Sequence, residues 1–415
     1  MAGSARGSLW RLVTVWILAG CAGGVSPVGV TPVGVAPVGV SSAPSMPRYA
    51  RALTLGPGVE WRFNPLVIDV NADGYPDLVS TARGADRALF IWLGDGKTFT
   101  PVEPTWTDIG YAALATGDIN HDGLPDIVGA SHFGRVQTLL SDGRGGFTET
   151  IVRGEDGYVA AQLADVNGDG ELDLILLGYA KAGIEIYFGD GKGNWKLHTT
   201  LPTPRPGRTM PGRALVVGDL NHDGRVDIVA AFQRWGLYIY YGDGQGGFTG
   251  GLVDFLPPRA FDSIDLSLAL ADVNHDGHPD LIINGTFFGR DKPNGPDVYL
   301  GDGRGGWTAS SMGLKVLKLA GPGVAVGDLD GDGNLDLIAA GQATGDFAPG
   351  YGLFWFRGDG KGTWQLVQEK DSGLPTQGLS MPHGVALADL NRKGVVDIVT
   401  LHGGERGTIL IWKRQ

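Results

Sequence analysis

From about residue 47 to the end, short apolar runs alternate with polar, Gly-rich turns. One stretch shows the order well. A short apolar segment, Ala160-Ala161-Gln162-Leu163-Ala164, leads into an acidic turn. An aliphatic run, Leu174-Ile175-Leu176-Leu177, follows, then the partly alternating Ile184-Glu185-Ile186-Tyr187-Phe188. A Gly-Asp-Gly turn at 189–191 precedes a fourth run, Trp195 to Thr200. Runs of this length between turn signals predict strands, four to a unit.

The unit recurs. Its acidic turn, Asp-x-Asn-x-Asp-Gly-x-x-Asp, begins at Asp69, Asp118, Asp165, Asp219, Asp272, Asp328 and Asp389, with intervals of 49, 47, 54, 53, 56 and 61 residues. Gly-Asp-Gly returns at 94–96, 242–244, 301–303 and 358–360, with Ser141-Asp142-Gly143 as a variant. Glycine there is expected to supply positive φ. A repeat of this period builds a solenoid, a propeller or an array. Seven units of four strands predict an all-β, seven-bladed β-propeller, with a β-helix or linear array as the alternative. The last unit stops after its third run, Thr408 to Trp412, while Arg48–Leu55 precedes the first motif without a unit of its own. That segment is expected to complete the last blade and remove the open edge.

The acidic turns carry the candidate chemistry. Position one is Asp69, Asp118, Asp165, Asp219, Asp272 and Asp328; position three is Asn71, Asn120, Asn167, Asn221, Asn274 and Asp330. Position five is Asp73, Asp122, Asp169, Asp223, Asp276 and Asp332; position nine is Asp77, Asp126, Asp173, Asp227, Asp280 and Asp336. Position seven, expected to offer a backbone carbonyl, is Tyr75, Leu124, Glu171, Arg225, His278 and Asn334. Oxygen donors at this spacing, with Gly at position six, suit a hard cation, and the pattern has no soft ligand at its fixed positions. About six Ca²⁺ ions are therefore expected. Metal-free Asx turns are the other reading of such segments. The seventh turn, Asp389, Asn391, Lys393 and Asp397, has Lys at position five and is expected to hold no metal. There the ammonium should pair with Asp389 and Asp397. No Glu stands at position twelve and no amphipathic helix flanks the turn, unlike an EF-hand.

Residues 47–415, through these turns and the following Gly-Asp-Gly-x-Gly-x-Phe/Trp, resemble the FG-GAP/VCBS repeat family of β-propellers. That family includes the head of integrin α chains and some fungal sugar-binding lectins. The resemblance implies the propeller and calcium between strands one and two. It does not imply one activity, since such propellers serve adhesion, sugar binding and, in some lyases, catalysis.

Strand alternation puts the acidic and Gly-Asp-Gly turns on one face. The opposite face carries loops of variable length, where binding residues usually sit. Candidates there are His132, Arg135, Arg208, Arg234, Trp235, Phe287, Arg290, Phe347, Tyr351, His383, His402 and Arg406. Aromatics beside Arg suit sugar stacking or a protein hot spot. No Gly-x-Ser-x-Gly, His-Glu-x-x-His or phosphate loop is found, so a glycan- or protein-binding module is expected rather than an enzyme. A lyase-like propeller using His with Tyr is the alternative.

Composition refines this picture. The chain has 415 residues, 70 Gly, 24 Pro, one Cys and a formal charge of −12. So much Gly disfavours a helical fold, and one Cys excludes a disulfide framework. The acidic balance argues against nucleic acid as partner. Residues 1–20 read as a secretory signal, with Arg6 and Arg11 before a short apolar run. Leu18-Ala19-Gly20-Cys21 resembles a bacterial lipobox, which implies lipid on Cys21 and a place on the bacterial cell envelope. Residues 21–46, with a repeated Pro-Val-Gly-Val, are expected to be an extended tether. The expected ligand set holds 19 of the 45 acids, so the acidity describes the ion-free chain.

Overall fold

Blade three, typical of the set, consists of strands Tyr158–Ala164, Asp173–Gly178, Ile184–Gly189 and Trp195–Leu201, antiparallel in that order. The first two are buried along their whole length, while the fourth is largely exposed. This gradient explains the sequence pattern. Inner strands lie between neighbouring blades and need apolar residues on both faces, whereas outer strands meet water and can alternate. The computed structural model describes residues 46–415, apart from 57–59, 62–63, 84–88, 103–111, 133, 154–156, 180–182, 204–209, 254–265, 286–294, 315–316, 344–349, 381 and 404–406. The signal segment, Cys21 and the tether to residue 45 lie outside these residues, as do Arg208, Phe287, Arg290, Phe347 and Arg406.

Seven such sheets form a ring. Their first strands are Leu66–Ile68, Ala112–Gly117, Tyr158–Ala164, Gly212–Gly218, Leu266–Ala271, Leu317–Gly327 and Pro382–Ala388. First strands of blades two to seven pack against one another in succession, Leu66–Ile68 touches Pro382–Ala388, and blade one meets Ala112–Gly117 through Asp77–Arg83. Apolar clusters run between blades: Ile175, Ile228, Leu268 and Ile283 share one that joins blades three, four and five. The first blade carries a short extra strand, Glu60–Trp61, paired with Asp77–Arg83. The only helix among the described residues is one turn, Glu369–Ser372, between blades six and seven.

The ring closes as the chain ends suggest. Tyr49–Leu55 pairs antiparallel with Ile409–Arg414, from Tyr49 opposite Arg414 to Leu55 opposite Ile409. It is the fourth strand of blade seven. Tyr49 anchors it. The ring is 2 % exposed, lies edge-on to Trp355 with centroids 6.0 Å apart, and its hydroxyl donates to the Val396 carbonyl at 3.1 Å. Losing a buried aromatic of this kind costs about 3–5 kcal/mol. Tyr49→Ala should therefore lower unfolding stability by about that amount, read as a shift in the urea midpoint.

Candidate functional site

The acidic turns share one geometry. The position-one carboxylate accepts the N–H of Gly at position six, as at Gly74 to Asp69 Oδ2 (2.8 Å) and Gly224 to Asp219 Oδ2 (2.8 Å). In the first loop, the N–H of Asp73 faces both Asp69 Oδ1 and Asn71 Oδ1 at 3.1 Å. Asn71 Nδ2 donates to Asp73 Oδ2 at 3.0 Å. The oxygens of positions one, three and five thus converge on a single turn. Position four takes a left-handed conformation in all seven loops: Ala72, His121, Gly168, His222, His275, Gly331 and Arg392 have φ between 55° and 82°. This turns position four away from the converging oxygens.

Position nine does something the sequence reading did not foresee. Asp77 is fully buried, with Oδ2 accepting the Val70 N–H at 2.8 Å and Oδ1 the Gly94 N–H at 2.7 Å. Asp126, Asp173, Asp227, Asp280 and Asp336 repeat this double bond with their own position two and their own Gly-Asp-Gly turn, Ser141 standing in blade two. Burial pushes these carboxyls up, to about 6 for Asp77, Asp126, Asp173 and Asp227 and about 7 for Asp280 and Asp336. The N–H bonds pull the other way. Each is a staple between two turns. The first glycine of Gly-Asp-Gly is needed here for space: a Cβ on Gly94 would lie 2.2 Å from the Pro76 carbonyl oxygen. Positive φ belongs to the last glycine of the motif, Gly96 at 78°.

Oxygen donors at positions one, three and five suit a hard divalent cation. In loop six Asp328, Asp330 and Asp332 each bring a carboxylate oxygen within 4.8 Å of the others, and there Arg357 is already paired with Asp330 and Asp332. In loops one to five Asn replaces the middle Asp, which keeps the oxygen donor and lowers the charge. The engaged oxygens retain a second lone pair for an ion. In the seventh loop the Lys393 ammonium is in no ion pair with Asp389 or Asp397. It is the Lys393 backbone N–H that donates to Asp389 Oδ1 (3.0 Å) and Asn391 Oδ1 (3.1 Å). The cation beside Asp397 is instead Lys413, on the last strand.

The variable face separates its candidates. His383 and His402 are corrections: they are 5 % and 1 % exposed and belong to the core. His402 Nδ1 bonds the Ser380 carbonyl oxygen (3.0 Å), and Nε2 meets Thr400 Oγ1 (2.8 Å), which also accepts the Trp412 indole N–H (3.1 Å). Burial holds this imidazole below its ordinary pKa. Trp235 packs against the core cluster of blades three to five. Tyr351 is fixed by a backbone bridge to Leu379. Arg234 is exposed and left-handed, Arg135 half-buried. Glu369 caps its own loop, accepting the Thr376 N–H and hydroxyl. Asn284 heads an Asn-Gly-Thr acceptor sequence but is fully buried, its amide donating to the carbonyls of Gly321 and Gly323 (2.7 and 2.9 Å).

His132 does find neighbours. Its ring lies 3.9 Å from that of Tyr179, and the Arg213 guanidinium sits 5.3 Å from the Tyr179 ring centre. Arg213 also bonds Gln233. These four residues span blades two, three and four. Tyr179 and Gln233 escaped the sequence reading, since the loops around them have no repeat register. In blade three Glu185 is buried, accepting from Tyr158 (2.6 Å), Tyr187 (2.7 Å) and Arg153 (3.1 Å).

The model of the FG-GAP-like repeat matches residues 69–129, 118–176, 165–230 and 219–283, more than half of the chain. The chain belongs to the FG-GAP-like repeat family. Similar folds occur in BBS1N, solved in complex with ARL6DN in lead- and mercury-soaked crystals, at 12 % and 13 % identity. Their TM-scores are 0.53 and 0.52, covering 88 % of this chain and 96 % of that one. The RRP9 WD40 repeats are similar at 9 % identity and TM-score 0.50, covering 89 % and 99 %. At these identities the likeness is one of fold. No curated protein matches the chain. No helix among the described residues is long and apolar enough to cross a membrane.

Two measurements separate staples from ligands. Asp227→Asn leaves a buried N–H without its acceptor and should cost about 1–3 kcal/mol with or without calcium, read by urea unfolding. Asp223→Ala should act mainly on the stabilisation gained by adding calcium. The His402 environment sets a pH dependence. The native imidazole stays neutral where the unfolded one takes a proton, so the His402 contribution to stability rises with pH through the range just below 6.5. It is opposite in sign to that of the buried position-nine carboxyls, whose raised pKa values favour the folded state at lower pH. His402→Gln should remove that contribution, read as the change with pH of the difference between wild-type and variant stability in urea titrations.

Proposed function

We propose a calcium-stabilised propeller that binds a glycan or protein ligand on its variable face and is held at the bacterial cell envelope by lipid on Cys21. The observation that carries the reading is the grouping of His132, Tyr179, Arg213 and Gln233 across three blades. An aromatic face with a cation over it and an amide beside it suits sugar stacking or an acidic peptide side chain. Calcium in the first six loops would be held by the oxygens of positions one, three and five, and would supply the positive charge that balances their carboxylates. BBS1N, similar in fold, is found with a protein bound, which supports a protein ligand by analogy of architecture.

The same His132–Tyr179 pair supports a second reading, a lyase-like propeller that uses His with Tyr. A glycan array on the purified protein, with and without EDTA, tests both. Binding without turnover, lost in Tyr179→Ala and in Arg213→Ala, is the expected result. New ultraviolet absorbance from unsaturated sugar ends would favour the lyase. Calcium should also raise the melting temperature, because an ion that binds only the folded state stabilises it by mass action.

A further inference from the structure

Blade six breaks the repeat at two places, and the structure brings the two together. Position three is Asp330 where loops one to five have Asn. The residue before the Gly-Asp-Gly turn is Arg357, where the earlier blades have Leu93, Leu140, Phe188, Tyr241 and Leu300. Arg357 lies on the third strand of the blade, Gly352–Gly358, and its guanidinium reaches the acidic turn. Nε lies 2.5 Å from Asp330 Oδ2, and Nη2 donates to Asp332 Oδ2 at 2.7 Å. Asp330 is 8 % exposed, so this pair is shielded on one side from water.

The sibling loops explain why Arg is there. In each of them the position-three Asn donates Nδ2–H to Oδ2 of the position-five Asp, at 2.8 to 3.1 Å. Asp330 has no N–H to give, and its carboxylate would face that of Asp332 unrelieved. Arg357 supplies the missing donor and a full positive charge through a planar fork that suits two carboxylates. The oxygens it holds come from two of the three positions a divalent ion would need. An ion entering this loop must first displace the guanidinium.

We propose that Arg357 is the built-in cation of the sixth loop, holding it closed without metal while loops one to five take up calcium. The proposal rests on the calcium reading above. It deepens it by separating one loop from the other five, and by naming the residue that does so.

Equilibrium dialysis of the EDTA-stripped full chain against radiolabelled calcium counts the ions. Wild type should bind about five and Arg357→Leu about six. The reverse transplant, Asn274→Asp with Leu300→Arg, builds the pair into loop five and should lower the count to about four. If Arg357→Leu does not fold in EDTA, the double variant Asp330→Asn, Arg357→Leu restores the sibling pattern and should bind about six. Equal counts in wild type and the Arg357 variants overturn the role of Arg357 and leave calcium in place. No binding by any of these proteins overturns the calcium reading and this proposal together.

Discussion

The carboxylate at position nine is the constraint on which the blade depends. It is the one charged group placed at zero exposure in blade after blade, and each of its oxygens closes a different turn. Position two of the acidic turn and the first residue of the Gly-Asp-Gly turn both point a backbone N–H into the interior. Without an acceptor each would cost as much as a lost buried hydrogen bond. A single Asp satisfies both and so sets the distance between the strand-one turn and the strand-three turn. In five blades the approach is close enough that a Cβ on Gly94, Gly189, Gly242, Gly301 or Gly358 would lie 2.1–2.4 Å from the carbonyl oxygen of position eight, while blade two accommodates Ser141 at the same place. Asp, Gly and the paired turns are one device.

The left-handed position four extends that device from blade to blade. His121 of loop two meets Glu171, position seven of loop three, at 2.6 Å, and the ring of His222 in loop four lies edge-on to His278 in loop five. Arg392 of loop seven approaches Asp69 of loop one at 4.0 Å, across the seam of the ring. Three junctions between neighbouring acidic loops are bridged in this way: two to three, four to five and seven to one. These contacts are exposed, and exposed pairs contribute little. The seam is held chiefly by Tyr49–Leu55, where six paired positions and a buried aromatic do the work.

The fold was legible because its punctuation repeats. Asp and Gly mark turns for chemical reasons that hold in every unit, so blade number, strand number and closure all followed from spacing. The acidic loops were legible to the same extent, but the division of labour within them was not. Spacing counts an oxygen at position nine without revealing that it points inward to two amides. The variable face was least legible, since its loops have no common register. Even so, His402 carried a usable signal. It ends the run Asp397-Ile398-Val399-Thr400-Leu401-His402, a second strand, and the second strands described along their whole length are buried to their last residue. The strand rule outweighs the general expectation that His near a loop faces solvent.

Charge neutralisation follows three routes in one ring. Loops one to five carry a position-three Asn, which trims one negative charge and leaves a set suited to calcium. Loop six restores the fourth acid and meets it with Arg357. Loop seven gives up the position-five acid; its position-nine Asp397 keeps the stabilising backbone N–H groups of Leu390 and Arg414, and Lys413 lies beside it. Burial still pushes Asp397 up, to about 6. The cations in the last two blades both come from third strands, at Arg357 and Lys413, so the same strand that elsewhere supplies only an N–H here supplies charge. Where the repeat is intact an external ion can fill the role, and where it decays the protein carries its own.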